Sequence, residues 1–141
     1  MFKVYYADRT KTKGYDWASV NQSHLIVGSG RQTWMKLKHP EVAAKHLELH
    51  IGTEGEGNNA EQMLYVNSLF PRWGTFIRSP DAEEFQKLEE DMKFKVESGS
   101  TLKLGGEVKL FVVHEKQENA QHIKKAFHEW INEIGGKMPR R

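Results

Sequence analysis

Arg31, Lys45 and Arg72 are cations set in short segments bounded by turn residues: Arg31 follows Gly28-Ser29-Gly30, Lys45 precedes His46, and Arg72 precedes Trp73-Gly74. Cations on rigid loops can receive an anion when neutral donors stand beside them, because a phosphate group offers nearly two charges and three strong acceptor oxygens. The aromatics Trp34, Tyr65, Phe70 and Trp73 offer a second chemistry, stacking on bases. Seven histidines raise a third, metal binding. His46 and His50, however, lie about 13 Å apart on a strand that rises about 3.3 Å per residue. His122 and His128 point apart on a helix, and the chain has no thiol and no helical His-x-x-x-His, so neither a metal nor a cofactor is expected. Gly28-Ser29-Gly30 is not followed by a helical pattern, which excludes a dinucleotide or P-loop fingerprint, and Gly-x-Ser-x-Gly is absent. The acids between residues 83 and 91 read as the wet face of a helix rather than as a catalytic pair. The expectation is therefore a protein that is not an enzyme.

With 141 residues the chain suits one core. Zero cysteines exclude disulfides, thiolate zinc sites, iron–sulfur clusters and cysteine nucleophiles. The net charge of +2 is an average over opposites: residues 1–50 carry +4, residues 51–100 carry −5 and residues 101–141 carry +3. So weak a balance, with an acidic middle, argues against nucleic acid as a partner. No stretch approaches the roughly 18 consecutive apolar residues of a membrane span. The N-terminus runs straight into alternation with no apolar leader core, so a cytoplasmic protein without membrane attachment is expected.

The elements that must position these residues are mostly short strands. Phe2–Tyr6, His24–Val27, Trp34–Lys38, Lys45–Ile51, Met63–Val66, Gly74–Ile77, Lys93–Val96, Thr101–Leu104 and Val108–Val113 alternate or run apolar between turn residues. In Lys45–Ile51 the period is two, with Leu47, Leu49 and Ile51 on the dry face. Two segments break the pattern. Ser79-Pro80 followed by acids, with Phe85, Leu88 and Met92 at helical spacing, predicts a short inserted helix near 80–92. From Glu118 onward Ala120, Ile123, Ala126, Phe127, Trp130, Ile131 and Ile134 predict an amphipathic C-terminal helix, with Gly135-Gly136 as its stop. The expected fold class is all-β, a sandwich over residues 1–114, then a helix over 115–136 packed on the sandwich or on a partner, and a tail over 137–141.

Gly28-Ser29-Gly30-Arg31, the segment His39–Leu47, Leu64–Ser68 with Trp73–Ile77, and Val96–Gly105 resemble, in that order, the landmarks of a forkhead-associated (FHA) domain over about residues 2–114. The resemblance implies a β-sandwich of ten to eleven short strands whose loops at one end bind phosphothreonine peptides. Arg31 then fits the anion-pairing arginine if Gly30-Arg31 is the family's Gly-Arg turn, whereas Gly28-Ser29 in that turn puts a serine there; Lys45 fits a second cation. His46 aligns with a framework histidine, and Gly74 and Thr75 with residues supporting the site. The departures are Ala43, where the family places a phosphate-binding serine, and Trp73, where it places a peptide-contacting asparagine. The resemblance thus implies a divergent interaction module with phosphothreonine recognition weakened or lost, binding a protein partner, phosphorylated or not, through Arg31, Lys45, Ala43, Arg72 and Trp73. The alternatives are an assembly protein that self-associates through the C-terminal helix and, further off, a nucleic-acid accessory protein.

Overall fold

A computed structural model describes residues 1–137. One sheet contains β1 (Phe2–Ala7), β2 (Tyr15–Ser19), β7 (Thr75–Arg78), β8 (Gln86–Lys87), β10 (Ser100–Leu104) and β11 (Val108–His114), in the order β2-β1-β11-β10-β7-β8. The other contains β3 (His24–Gly28), β4 (Met35–Lys36), β5 (Leu47–Glu54), β6 (Glu61–Ser68) and β9 (Lys93–Val96), in the order β4-β3-β5-β6-β9. Among the described residues the strand pairings are antiparallel except β3 with β4, and Ser68 and Glu90 add an isolated parallel bridge. The period-two pattern of β5 is realised: Leu47 and Leu49 are buried between the sheets with Val4, Val27, Leu64, Val66, Leu102 and Val112, while Glu48 and His50 face outward. The chain is an all-β sandwich of the predicted class.

α1 (Gln121–Lys137) forms a third layer. The strand β11 is apolar on both faces, which a strand covered on one side only would not need; Leu110 and Val112 enter the inter-sheet core, and Phe111 and Val113 face the helix. Ile123, Ala126, Trp130 and Ile134 cover them, and Ala120, Phe127 and Ile131 pack at the margin. Trp130 is fully buried and its indole N–H donates to the Lys109 carbonyl at 3.1 Å. At the helix's other flank Arg78 makes a bidentate pair with Glu133 at 2.6 and 2.8 Å. That hydrogen bonding, against the opposing effect of burial, holds the Glu133 carboxyl below its usual range. Glu133→Gln should therefore lower the urea midpoint by an amount equivalent to about 1–2 kcal/mol at neutral pH. Because the folded-state value is depressed, the wild-type advantage is present above the ordinary glutamate range and fades as pH falls through the folded-state value.

Two expectations need correction. The segment 80–92 is not helical; it holds turns and β8, which pairs with the open edge of β7 through Phe76↔Lys87 and Ile77↔Gln86. Leu88 is drawn into the inter-sheet core and its N–H donates to the Thr75 carbonyl at 2.9 Å. A run this short cannot sustain a helix against an available strand edge and a core vacancy. Gly135 and Gly136 do not stop α1, which is described through Lys137 although each glycine costs a helix interior about 1 kcal/mol. The strand β2, which carries no strong alternation, forms because β1 offers it an edge. The expected tail 137–141 lies, beyond Lys137, outside the described residues. Among the described residues no helix is long and apolar enough to cross a membrane.

Candidate functional site

Four connections meet at one end of the sandwich: β3–β4, β4–β5, β6–β7 and β10–β11. Gly28 closes β3 so near the β4–β5 connection that a Cβ there would stand 2.3 Å from the Ala44 carbonyl oxygen. No other residue type fits without moving that backbone. The two connections are then laced together: Ser29 N–H donates to Ala43 O at 2.9 Å, Gly30 N–H to Ala44 O at 3.0 Å, and the Ser29 hydroxyl to Val42 O at 2.9 Å.

His46 locks the next pair. It is fully buried; its Nδ1 accepts the Ala43 N–H at 3.1 Å and its Nε2–H donates to the Gly74 carbonyl at 2.9 Å. These partners assign the neutral Nε2–H tautomer. Burial pushes the imidazole below its ordinary value, opposed by the Gly74 contact and by Glu90. The Gly74 carbonyl also accepts from Gly105 N–H at 3.0 Å, which ties in the β10–β11 turn. Gly74 itself has φ +80, the left-handed conformation that ends a tight turn begun at Pro71. Beneath it the hydroxyls of Thr75 and Ser68 bond at 2.7 Å in a fully buried pair.

The backbone bonds thus bring Ala43, His46, Gly74 and Thr75 into one frame. Arg31 and Lys45 flank the Gly30–Ala44 contact in sequence, both exposed, and neither has an ion-pair or hydrogen-bond partner among the described residues. Gly28 and Gly30 are both confined by this contact, a Cβ standing 2.3 and 2.9 Å from the Ala44 carbonyl oxygen respectively, and the hydroxyl of Ser29 between them gives its proton to Val42. Ala43 contributes no hydroxyl, and its N–H is already held by His46. Trp73 is half exposed and the Arg72 guanidinium lies 5.4 Å from its ring centroid, a cation–π contact.

Sequence reasoning missed several supports of this end. Phe70 is 71% exposed at φ +57, a strained conformation for a bulky residue, and its N–H is held by Glu90 Oε1 at 2.8 Å. Glu90 is one of the acids read as a helix's wet face; it braces the β6–β7 connection instead. Glu41 accepts the Gly106 N–H at 2.7 Å, and His39 lies 3.2 Å from Glu107. Nothing in local spacing marks these contacts, whose partners lie 20, 65 and 68 positions apart.

The chain matches no protein-family model and no curated protein sequence. Its structure is similar to the yeast Dun1 FHA domain, solved in complex with a doubly phosphorylated peptide derived from Rad53: TM-score 0.60 at 17% identity, over 79% of this chain and 72% of that one. It is similar to the FHA domain of the CT664 protein from Chlamydia trachomatis, with TM-score 0.61 at 16% identity over 80% and 96% of the two chains. The yeast Pml1 splicing factor gives TM-score 0.60 at 13% identity over 80% and 78%. Two sheets of six and five strands, laced at one end by Gly28, His46 and Gly74, give this chain the fold of the forkhead-associated domains.

Proposed function

We propose that the chain is a noncatalytic, cytoplasmic protein–protein interaction module that meets its partner with the laced loop end, and that its response to phosphothreonine is weakened or lost. The observation that carries this reading is the altered donor set on an intact frame. His46 and Gly74 keep the loops in place, while Ala43 and Ser29 offer an incoming phosphate no hydroxyl that is free to donate. Arg31 and Lys45 remain as cations, and Phe70, Arg72 and Trp73 add an exposed aromatic and basic surface beside them. Aromatics and arginine are the side chains that most often carry interface energy.

A serine hydroxyl bonded to a phosphate contributes about 1.5–3 kcal/mol, roughly ten- to hundredfold in affinity. Peptides from a degenerate phosphothreonine library and their unphosphorylated twins should accordingly bind the wild-type chain with a preference below about tenfold. Arg31→Ala should remove what preference remains, and Ala43→Ser should raise it by about tenfold or more. Fluorescence anisotropy measures all three. A wild-type preference above a hundredfold would overturn the weakened reading, and partner binding indifferent to Trp73→Ala and Arg72→Ala would overturn the choice of surface.

A further inference from the structure

On the outer face of the five-stranded sheet, away from the laced loops, His24 of β3 and His50 of β5 stand directly opposite each other in the antiparallel register. Their rings stack with centroids 4.5 Å apart. Glu48, two residues before His50 and therefore on the same face, points its carboxylate between them: Oε1 lies 2.5 Å from His50 Nε2, and Oε2 contacts His24 Nε2. We propose that His24, Glu48 and His50 form a binding site for a divalent transition-metal ion of the zinc class.

Two imidazole nitrogens and one carboxylate oxygen are a donor set suited to zinc and its neighbours. The three donor atoms all lie within 4.8 Å of one another. Metal–ligand bonds of about 2.0–2.2 Å set tetrahedral donors about 3.4 Å apart, farther than the present carboxylate–imidazole contacts, so the Glu48 side chain draws back from the two rings by rotation to admit the ion, without moving the strands. Both rings present Nε2 to the centre, and neither Nδ1 has a hydrogen-bond partner among the described residues. Each ring can therefore carry its proton on Nδ1 and give the Nε2 lone pair to the ion.

Asn67 supplies an independent observation. It is nine-tenths buried directly across from Glu48 on β6, with its amide N–H₂ 3.4 Å from Glu48 Oε1, yet its Oδ1 has no partner. A buried amide oxygen without a donor is costly. Water completing the coordination shell of an ion at Glu48 is a donor of the kind that oxygen lacks. His24 is half exposed, so the ion has a route from solvent, and the site keeps at least one position open to water. A bound ion would cross-link β3 to β5.

The test uses the full chain and Zn²⁺ alone. Isothermal titration, after dialysis against chelator, should give one saturable site in the wild type and a rise in melting temperature on adding the ion. His24→Ala and His50→Ala should each weaken that site at least tenfold, whereas His128→Ala, on the exposed side of α1, should leave it unchanged. Because His24 is largely exposed, His24→Ala is expected to fold, and a chelator-treated melt checks this for each variant. Co²⁺ substitution should give visible d–d absorption that disappears in the same two variants. The proposal fails if the wild type shows no saturable binding, or if binding survives in both His24→Ala and His50→Ala, which would assign the ion to other surface histidines and leave the trio as a structural hydrogen-bonded stack.

Discussion

Replacing His46 with alanine is expected to lower stability by about 3–5 kcal/mol, a large share of what a small domain possesses. The side chain is fully buried, so its removal opens a cavity beneath the loops. The Ala43 N–H loses its acceptor, and the Gly74 carbonyl keeps only its bond from Gly105. The denaturant midpoint measures the loss, and the same substitution should loosen the β4–β5 and β6–β7 connections together, seen as faster amide exchange at Ala43 and Gly105. The pH dependence has a definite sign. Burial lowers the imidazole's value in the folded state, so the unfolded chain binds the extra proton more readily. Stability from this group is complete above the ordinary histidine value of about 6.5 and is eroded as pH falls from there toward the depressed folded-state value. Protonation at Nδ1 would also set two donors against each other at Ala43. Comparing wild type with His46→Ala at pH 7.5 and 5.5 isolates this contribution; equal slopes in the two proteins would show that His46 is not the titrating group.

The same histidine shows how far sequence reading reaches. Alternation in Leu47, Leu49 and Ile51 and the three-and-four spacing of Ile123, Phe127, Trp130 and Ile134 are local, and each became a buried face. The segment 80–92 has equally good local helical spacing, yet its outcome was decided by the free edge of β7 and the core position taken by Leu88, neither of which lies within the segment. The site divides likewise. Gly74 and His46 carry motif information, while Glu90 under Phe70, Glu41 on Gly106 and the stacking of His24 on His50 depend on register between distant strands. Distance along one strand correctly separates His46 from His50, but it is blind to a histidine on the neighbouring strand.

The frame and the residues displayed on it are constrained to different degrees. Gly28 cannot accept a Cβ, and the polar atoms of His46 are buried, so any change there leaves a clash or an orphaned group. Ala43, Arg31, Lys45 and Trp73 face outward or sit half-buried on the loops, where substitution costs the fold little. Substitution at the displayed positions is therefore cheap for the fold, whereas substitution in the frame that holds the loops is not.

Trp130→Ala should cost about 3–5 kcal/mol, comparable to His46→Ala but in a different layer. The indole is fully buried against Tyr5, Phe111 and Phe127, with ring centroids 6.2, 6.1 and 5.8 Å away, and it holds the Lys109 carbonyl. Its loss empties the centre of the aromatic cluster that joins α1 to β1 and β11. Burial, reinforced by Glu118, pushes the Tyr5 phenol up to about 12, so this cluster stays uncharged throughout the physiological range. A chain ending at His114 should fail more severely, since the outward faces of Tyr5, Phe111 and Val113 would meet water. Denaturant midpoints and light-scattering mass separate this from assembly through the helix. Core packing predicts an unchanged mass for Trp130→Ala with a lowered midpoint, and unfolding or aggregation of the shortened chain. A shortened chain that stays folded with its midpoint intact and its mass reduced to a monomer would instead assign the stripe of Ile123, Phe127, Trp130 and Ile134 to a second copy.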